Sequence, residues 1–446
     1  MGQRKTFKSR WGFILACVGS AVGMANVWGF PYKLGMNGGG AFLVCYLFFI
    51  FIFSYTGLSS EYAIGRRSKA GTLGAYEYAW ASRGHRGIGK LVGWIPLVGS
   101  ICIAIGYAVI ISYVLKALTD SIFGTLMTVD AEAWFGSFAF KTFSVAPFHI
   151  FIVVVTALTL LYGTHSIERT NKIMMPLFFV LFAILAVRVF FMPGALEGYK
   201  FLFTPKWDYL KNPETWVWAM GQAFFSLSIT GSGMIVYGSY LHEEEDIVDG
   251  AKNTAVFDTL AALVAALVMI PSAFAFGMDS AGGPGLLFVT LPTVLQHIPL
   301  GRVFAIILYL AVVFGGISSL QNMFEVVTDS ILYKCPKLKR AQVLLGLSLL
   351  TLLIGIFMEP IAETQGAILG GWGPWMDLVS IYIIPIGASI GAFSWFWILK
   401  KEELLDEINK GANKVQGDLW YGLGKWVYTP LAIILCVIAL AFKIAF

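Results

Sequence analysis

The chain has 446 residues, 58% of them hydrophobic and 13% charged, with a formal net charge of +5. A soluble globular domain carries about 25% charged residues, so the composition excludes an ordinary soluble protein. The five cysteines and five histidines are scattered, leaving no disulfide framework and no zinc or haem spacing.

Hydropathy predicts about eleven apolar stretches near or above the ~20 residues that cross ~30 Å of hydrocarbon. They fall at 10–35, 40–65, 88–118, 147–163, 167–192, 213–240, 250–278, 299–333, 340–358, 375–400 and 420–443. The first is too long for a cleavable signal peptide. It also carries Gly19-Ser20-Ala21-Val22-Gly23-Met24-Ala25-Asn26 in its middle, and the sixth carries Ser226-Leu227-Ser228-Ile229-Thr230-Gly231-Ser232-Gly233. Helix-weakening sequence at bilayer depth frees backbone groups that hydrocarbon cannot satisfy, so such breaks survive where they line a polar cavity or bind something. A pair in corresponding positions points to the binding site of a secondary transporter.

With the N-terminus inside, the cytoplasmic segments hold 22 of the 31 lysines and arginines and the outer ones seven. The net charge therefore reflects topology and implies no nucleic-acid partner. An odd number of spans puts the C-terminus outside. The expected architecture is all-α and integral to the plasma membrane: 11 transmembrane helices in one domain over 1–446. Two inverted five-helix repeats cover 10–192 and 213–400, helices 1 and 6 are discontinuous, and one helix is appended at 420–443. The Gly/Pro-rich loop 279–298 reads equally as a re-entrant cap over the outer mouth and as a plain extracellular linker.

Residues 10–42, RWGFILACVGSAVGMANVWGFPYKLGMNGGGAF, resemble the opening of the neurotransmitter:sodium symporter family, bacterial amino-acid branch. The likeness continues through GQAFFSLSITGSGMIVYGSY (221–240), FDTLAALVAAL (257–267) and FGGISSLQNMFE (314–325). It implies Na⁺-driven symport of a small amino acid or amine at a mid-membrane site by alternating access, and no enzymatic activity. The residues alone are compatible. Na⁺ prefers oxygen ligands, which an unwound helix supplies as carbonyls, while the next half-helix N-terminus suits a carboxylate. The rival expectations are a proton-coupled carrier using Asp258 or Glu61, and an ion channel, for which no filter repeat is evident.

By that resemblance one sodium site maps onto Ala21, Asn26 through its amide oxygen, Ser226 and Asp258, completed by the substrate carboxylate. The second maps onto the carbonyls of Gly19, Val22 and Gly315 with the hydroxyls of Ser318 and Ser319. Taken singly, each serine would back-bond to its own helix. Asp258 stands where chloride-dependent relatives carry asparagine, so its fixed charge is expected to replace chloride. The backbone of Gly23, Met24 and Ala25 should hold the carboxylate, helped by Tyr107. The amine should meet carbonyls near Ala21, Phe225 and Ser226. Side-chain walls would be Ser20, Ile103, Phe225, Ser228, Gly231, Ser319, Leu320 and Met323. Gly231 replaces a bulkier residue of some relatives, favouring a medium-to-large neutral side chain, while Ala25, where glycine is frequent, takes back a little of that room.

Gly29 occupies the position of the family's outer-gate arginine and leaves its acidic partner position, Asp377, without that salt bridge. Closure would then rest on Tyr107 stacking over Phe225, with Gln222 and Asp377 in the vestibule. On the inner side Arg4 and Phe7 resemble an N-terminal latch docking near Tyr240, while Tyr333 replaces its usual acid. Glu61 is expected to cap freed N–H groups of the second break, and Glu325 to be structural.

Overall fold

The computed structural model describes residues 6–278, 283, 285–361 and 370–445, and these form helices and loops without a strand. The first break is real and bent. Helix α1 (Arg10–Ala21) and α2 (Ala25–Met36) meet at 58°. Ser9 starts α1 by accepting the Gly12 N–H, an N-cap that satisfies one of the four free donors of a helix start. Helix α2 opens in a wide π-type turn over Ala25–Gly29, a geometry that recurs at functional sites.

Next come α3 (Gly40–Ser68), α4 (Gly71–Ala81), α5 (Arg86–Phe123), α6 (Ala131–Ala139), α7 (Ala146–Leu160), α8 (Thr164–Phe190) and α9 (Ala195–Phe203). The second break separates α10 (Pro213–Ser226) from α11 (Gly233–Gly238). Proline at the first turn and an Asn212 cap start α10, and Ser228 (φ 53°) and Gly231 (φ 74°) turn the chain out of it. The remainder are α12 (Ile247–Ala275), α13 (Leu286–Gln296), α14 (Gly301–Lys334), α15 (Arg340–Met358), α16 (Trp372–Ile398), α17 (Lys401–Asn409) and α18 (Asp418–Phe442).

Among the described residues, eight helices are long and apolar enough to cross a membrane, and the bent α1–α2 pair makes a ninth. The other two expected stretches differ. Stretch 147–163 holds a helix of 15 residues, and 213–240 is split into pieces of 14 and 6. Helix α13 packs Leu286, Leu287 and Phe288 fully inside, so this part of 279–298 is a seated element and not a plain linker. Residues 279–282 and 284 of that loop lie outside the described residues.

The long α14 packs chiefly along α5 and α8, and α1 packs against α8, α12 and α14. The first break therefore lies against long helices that carry buried polar side chains. Asn26, Ser226, Asp258, Ser318 and Gln321 are all fully buried. Buried polar groups of this kind demand partners, and the partners identify the site.

Candidate binding site between the broken helices

Three of the first-site residues come together. Ser226, at the end of α10, donates to Asp258 Oδ2 at 2.7 Å, and Asn26 Nδ2 donates to Asp258 Oδ1 at 2.7 Å and to Ser226 Oγ at 3.2 Å. Helix α12 carries Asp258 past both breaks, so one carboxylate ties the two discontinuous elements. The orientation of Asn26 departs from expectation. Its oxygen accepts the Gly23 N–H at 3.0 Å, and its nitrogen faces the acid. An amide oxygen aimed at a cation would need the Asn26 amide rotated, because an NH₂ group cannot ligate one.

The second cluster is richer in oxygen. Ser319 Oγ lies 3.3 Å from the Gly19 carbonyl, 3.2 Å from that of Ser20 and 2.9 Å from that of Val22. A hydroxyl has one proton, so it cannot satisfy three carbonyls. Ser318 sends its proton back to the Gly315 carbonyl at 2.8 Å, the ordinary bond of a membrane serine, which leaves its oxygen lone pairs available. The carbonyls come from the end of α1, where the helix no longer supplies N–H partners.

A central cavity of about 50 Å³ adjoins the second cluster and is lined by Ser20, Ala21, Gly23, Ala25, Ile103, Tyr107, Phe225, Ser228, Ser319 and Met323, among others, while Asn26, Ser226 and Asp258 do not line it. Tyr107 accepts the Met24 N–H at 2.9 Å, so its hydroxyl sits at the start of α2, where a carboxylate would be gripped. Ser228 donates to the Ser20 carbonyl at 3.3 Å across the two breaks. Leu320 is buried outside the cavity, and Met24 lines an outer chamber instead.

Gly231 corrects an expectation. It does not line the cavity, and a side chain there would meet Tyr76 Oη and the Gly387 carbonyl. Its N–H donates to Glu61 Oε1 at 2.8 Å and its carbonyl accepts from Tyr76 at 3.0 Å. The missing side chain is filled by a tyrosine hydroxyl and backbone, so the floor is not enlarged. Glu61 thus holds a freed N–H of the second break. The expected walls leave out Ser100, Thr230, Ser232, Gly233, Asn322 and Ile384, which also line the cavity. Thr230, Ser232 and Gly233 lay inside the quoted break and could have been included.

An outer cavity of about 310 Å³ is lined by Lys33, Gln222, Asp377, Gly29 and Trp372, among others. Ala25, Tyr107 and Phe225 line both cavities and form the partition. Among the described residues no ring contact joins Tyr107 to Phe225, so the two flank the partition and do not stack. Lys33, one turn beyond Gly29, was counted in the sequence only as an outer charge. It is buried, and its Nζ donates to Gln222 Oε1 at 2.8 Å, while Gln222 Nε2 donates to the Ala25 carbonyl at 2.9 Å.

On the opposite face Phe7 packs edge-on against Tyr237 and Tyr240, and its N–H donates to the Tyr240 carbonyl at 3.2 Å. Arg4 lies outside the described residues. Arg340 pairs with Glu325, which also accepts from Tyr240 Oη at 2.5 Å. Tyr333 turns toward Lys334.

The chain is similar to known proteins over nearly its whole length. The model of the sodium:neurotransmitter symporter family matches residues 4–137 and 135–445. The chain is 33% identical over 444 residues to the uncharacterized sodium-dependent transporter YhdH of Bacillus subtilis, covering 96% of this chain and 95% of that one. It is 29% identical to the uncharacterized sodium-dependent transporter MJ1319 of Methanocaldococcus jannaschii, over 96% of this chain and 89% of that one. The crystal structure of MhsT in complex with L-phenylalanine superposes with a TM-score of 0.86 at 30% identity, covering 98% of this chain and 100% of that one.

Proposed function

The chain belongs to the sodium:neurotransmitter symporter family, and from that premise we propose that it carries a neutral, medium-to-large L-amino acid into the cell by alternating access, with two sodium ions per substrate and without chloride. Membership makes it a sodium-dependent, multi-pass membrane transporter and not an enzyme. All eleven apolar stretches would cross the bilayer as two inverted five-helix repeats plus one helix, with the N-terminus inside and the C-terminus outside.

The carrying observation is the oxygen cluster at the first break. Three carbonyls converge on a hydroxyl that holds one proton, and a hard cation is the partner that would satisfy the surplus lone pairs. A proton needs no such cage, which disfavours the proton-coupled reading. Beside it, Asp258 supplies a permanent negative charge to a second ion, the role chloride would otherwise fill. The substrate carboxylate would take the Met24 N–H from Tyr107 and accept from the tyrosine hydroxyl in return.

The substrate class draws on MhsT, which was crystallised with L-phenylalanine. The central cavity of about 50 Å³ has room for about four waters, so a larger side chain must displace Phe225, Met323 or Ile384. These are apolar side chains that can change rotamer without leaving a hydrogen bond unmade. Two inward charges through 100 mV release about 4.6 kcal/mol, and two tenfold gradients add about 2.8 kcal/mol, enough for roughly 10⁵-fold accumulation.

Uptake into proteoliposomes, screened over the twenty amino acids with Na⁺, Li⁺, K⁺ or choline outside, tests the reading. Uptake of one large neutral amino acid should need Na⁺ and persist when gluconate replaces chloride. Equal uptake in choline would overturn sodium coupling, and collapse in gluconate would overturn chloride independence. Asp258→Asn should make residual uptake respond to added chloride.

A further inference from the structure

Behind the first break lies a polar chain that neither mapped cation site uses. Asn171 of α8 and Gln321 of α14 are both fully buried. Their orientations follow from their partners. Thr159 Oγ1 donates to the Thr156 carbonyl at 2.7 Å, and Thr170 Oγ1 donates to the Ser166 carbonyl at 2.9 Å. With both hydroxyl protons committed, these oxygens can only accept, and what they accept is Gln321 Nε2, at 2.7 and 3.0 Å. Gln321 Oε1 must then face Asn171, whose Nδ2 donates to it at 3.0 Å and to the Ile167 carbonyl at 2.9 Å. The flip of the Asn171 amide is therefore set twice over, by an amide oxygen and by a backbone oxygen.

The consequence is an unspent acceptor. Asn171 Oδ1 is buried and accepts no hydrogen bond among the described residues. It is aimed at Gly19, since a side chain at that position would meet Asn171 Oδ1 first, then Asn171 Cγ at 3.0 Å and Ser318 Cβ at 3.1 Å. Glycine at 19 is what lets the amide come so close. The oxygen thus abuts the residue whose carbonyl heads the Ser319 cluster. One turn back along α8, Glu168 ties that helix to the start of α1 by accepting from the Lys8 N–H at 2.7 Å and from Ser9 at 2.9 Å. Asn171 and Glu168, three residues apart on one face of α8, thus meet α1 at Gly19 and at its start.

We propose that Asn171 Oδ1 is a further oxygen of the second cation position, engaged by the alkali ion on the side of the cage facing α8. The inference rests on the reading that sodium binds at the Gly19, Val22 and Ser319 oxygens. Gln321, Thr159 and Thr170 act as positioning residues, holding the asparagine so that it presents oxygen and not NH₂.

Equilibrium ²²Na⁺ binding to the purified full chain, together with thermal melting in sodium and in choline chloride, tests it. Asn171→Ala should raise the half-saturating Na⁺ concentration at least fivefold; it lowers the melting temperature in choline, because it strands Gln321 Oε1, and lowers it further in sodium. The paired apolar variant Asn171→Leu with Gln321→Leu should fold and bind as weakly. Asn171→Asp keeps an oxygen in place and adds charge, so it should bind Na⁺ at least as tightly as the wild type. Unchanged Na⁺ affinity in Asn171→Ala, or an equal loss of melting temperature in choline and in sodium, would overturn the proposal. Should Asn171→Ala fail to fold, weaker binding by Asn171→Asp would overturn it instead. A wild-type protein that binds no ²²Na⁺ would defeat the underlying sodium reading, a separate outcome.

Discussion

Two clusters of backbone carbonyls in this molecule meet opposite fates. On the cytoplasmic face of the proposed topology, the Arg66 guanidinium takes the carbonyls of His242, Glu245, Glu407 and Lys410 at 3.2, 2.7, 2.6 and 3.0 Å, and the Glu407 carboxylate at 2.7 Å. At the first break, the carbonyls of Gly19, Ser20 and Val22 share the Ser319 proton, and among the described residues only that of Ser20 has a second donor, the Ser228 hydroxyl. The first cluster is closed by a cation that is part of the chain. The second is closed, on our reading, by one that comes and goes. Identical oxygen chemistry gives a joint in one place and a station for cargo in the other, and the difference lies in whether the positive charge is covalently attached.

The sharpest way to break the contrast is to remove the attached cation. Arg66→Ala should destabilise the protein by about 3 kcal/mol, because it strands several carbonyls and takes the nearest charge from the buried Glu407 carboxylate, which keeps Lys410 at 3.3 Å and Arg67 at 3.7 Å. Added sodium should not restore the melting temperature of the purified variant. Ser319→Ala should raise half-saturating Na⁺ about tenfold, roughly 1.4 kcal/mol, in ²²Na⁺ binding, and cost about 1 kcal/mol of stability in choline for the lost hydrogen bond. Gly29→Arg has room beside Gln222 Oε1, 3.7 Å from an added Cβ, and should slow substrate release a few-fold in efflux assays without changing Na⁺ affinity. At the other extreme stands the Lys69–Glu243 pair at 2.9 Å, both more than half exposed. Lys69 holds the Glu243 carboxyl below the usual range, yet Glu243→Gln should leave melting unchanged, because solvent screens surface pairs.

The two breaks were legible because glycine and serine at bilayer depth have few other uses, and Asp258 because a mid-span carboxylate needs a partner. Side-chain direction was less legible. Gly231 could be placed in the second break, but whether its open side faced the cavity depended on where Tyr76 of α4 and Gly387 of α16 packed. Lys33 looked like one more outer charge, since its partner Gln222 is 189 residues away. The Asn26 amide could be paired with Asp258 from the sequence, but its rotation could not, because the competing Gly23 N–H exists only once the helix is bent. The stretch at 147–163 reads as a full span by hydropathy, yet the helix stops at Leu160.

That early stop has a mechanical consequence for the lipid around it. Helix α7 has 15 residues, which at ~1.5 Å each reach only about 22 Å, against ~30 Å of hydrocarbon. Its outer face is greasy, with Ile150, Phe151, Val154 and Leu158 all exposed, so acyl chains must touch it along its whole length. As the shortest unbroken helix among the proposed spans, it should pinch the membrane locally. The carrier would therefore feel the acyl-chain length of its host bilayer along this one flank.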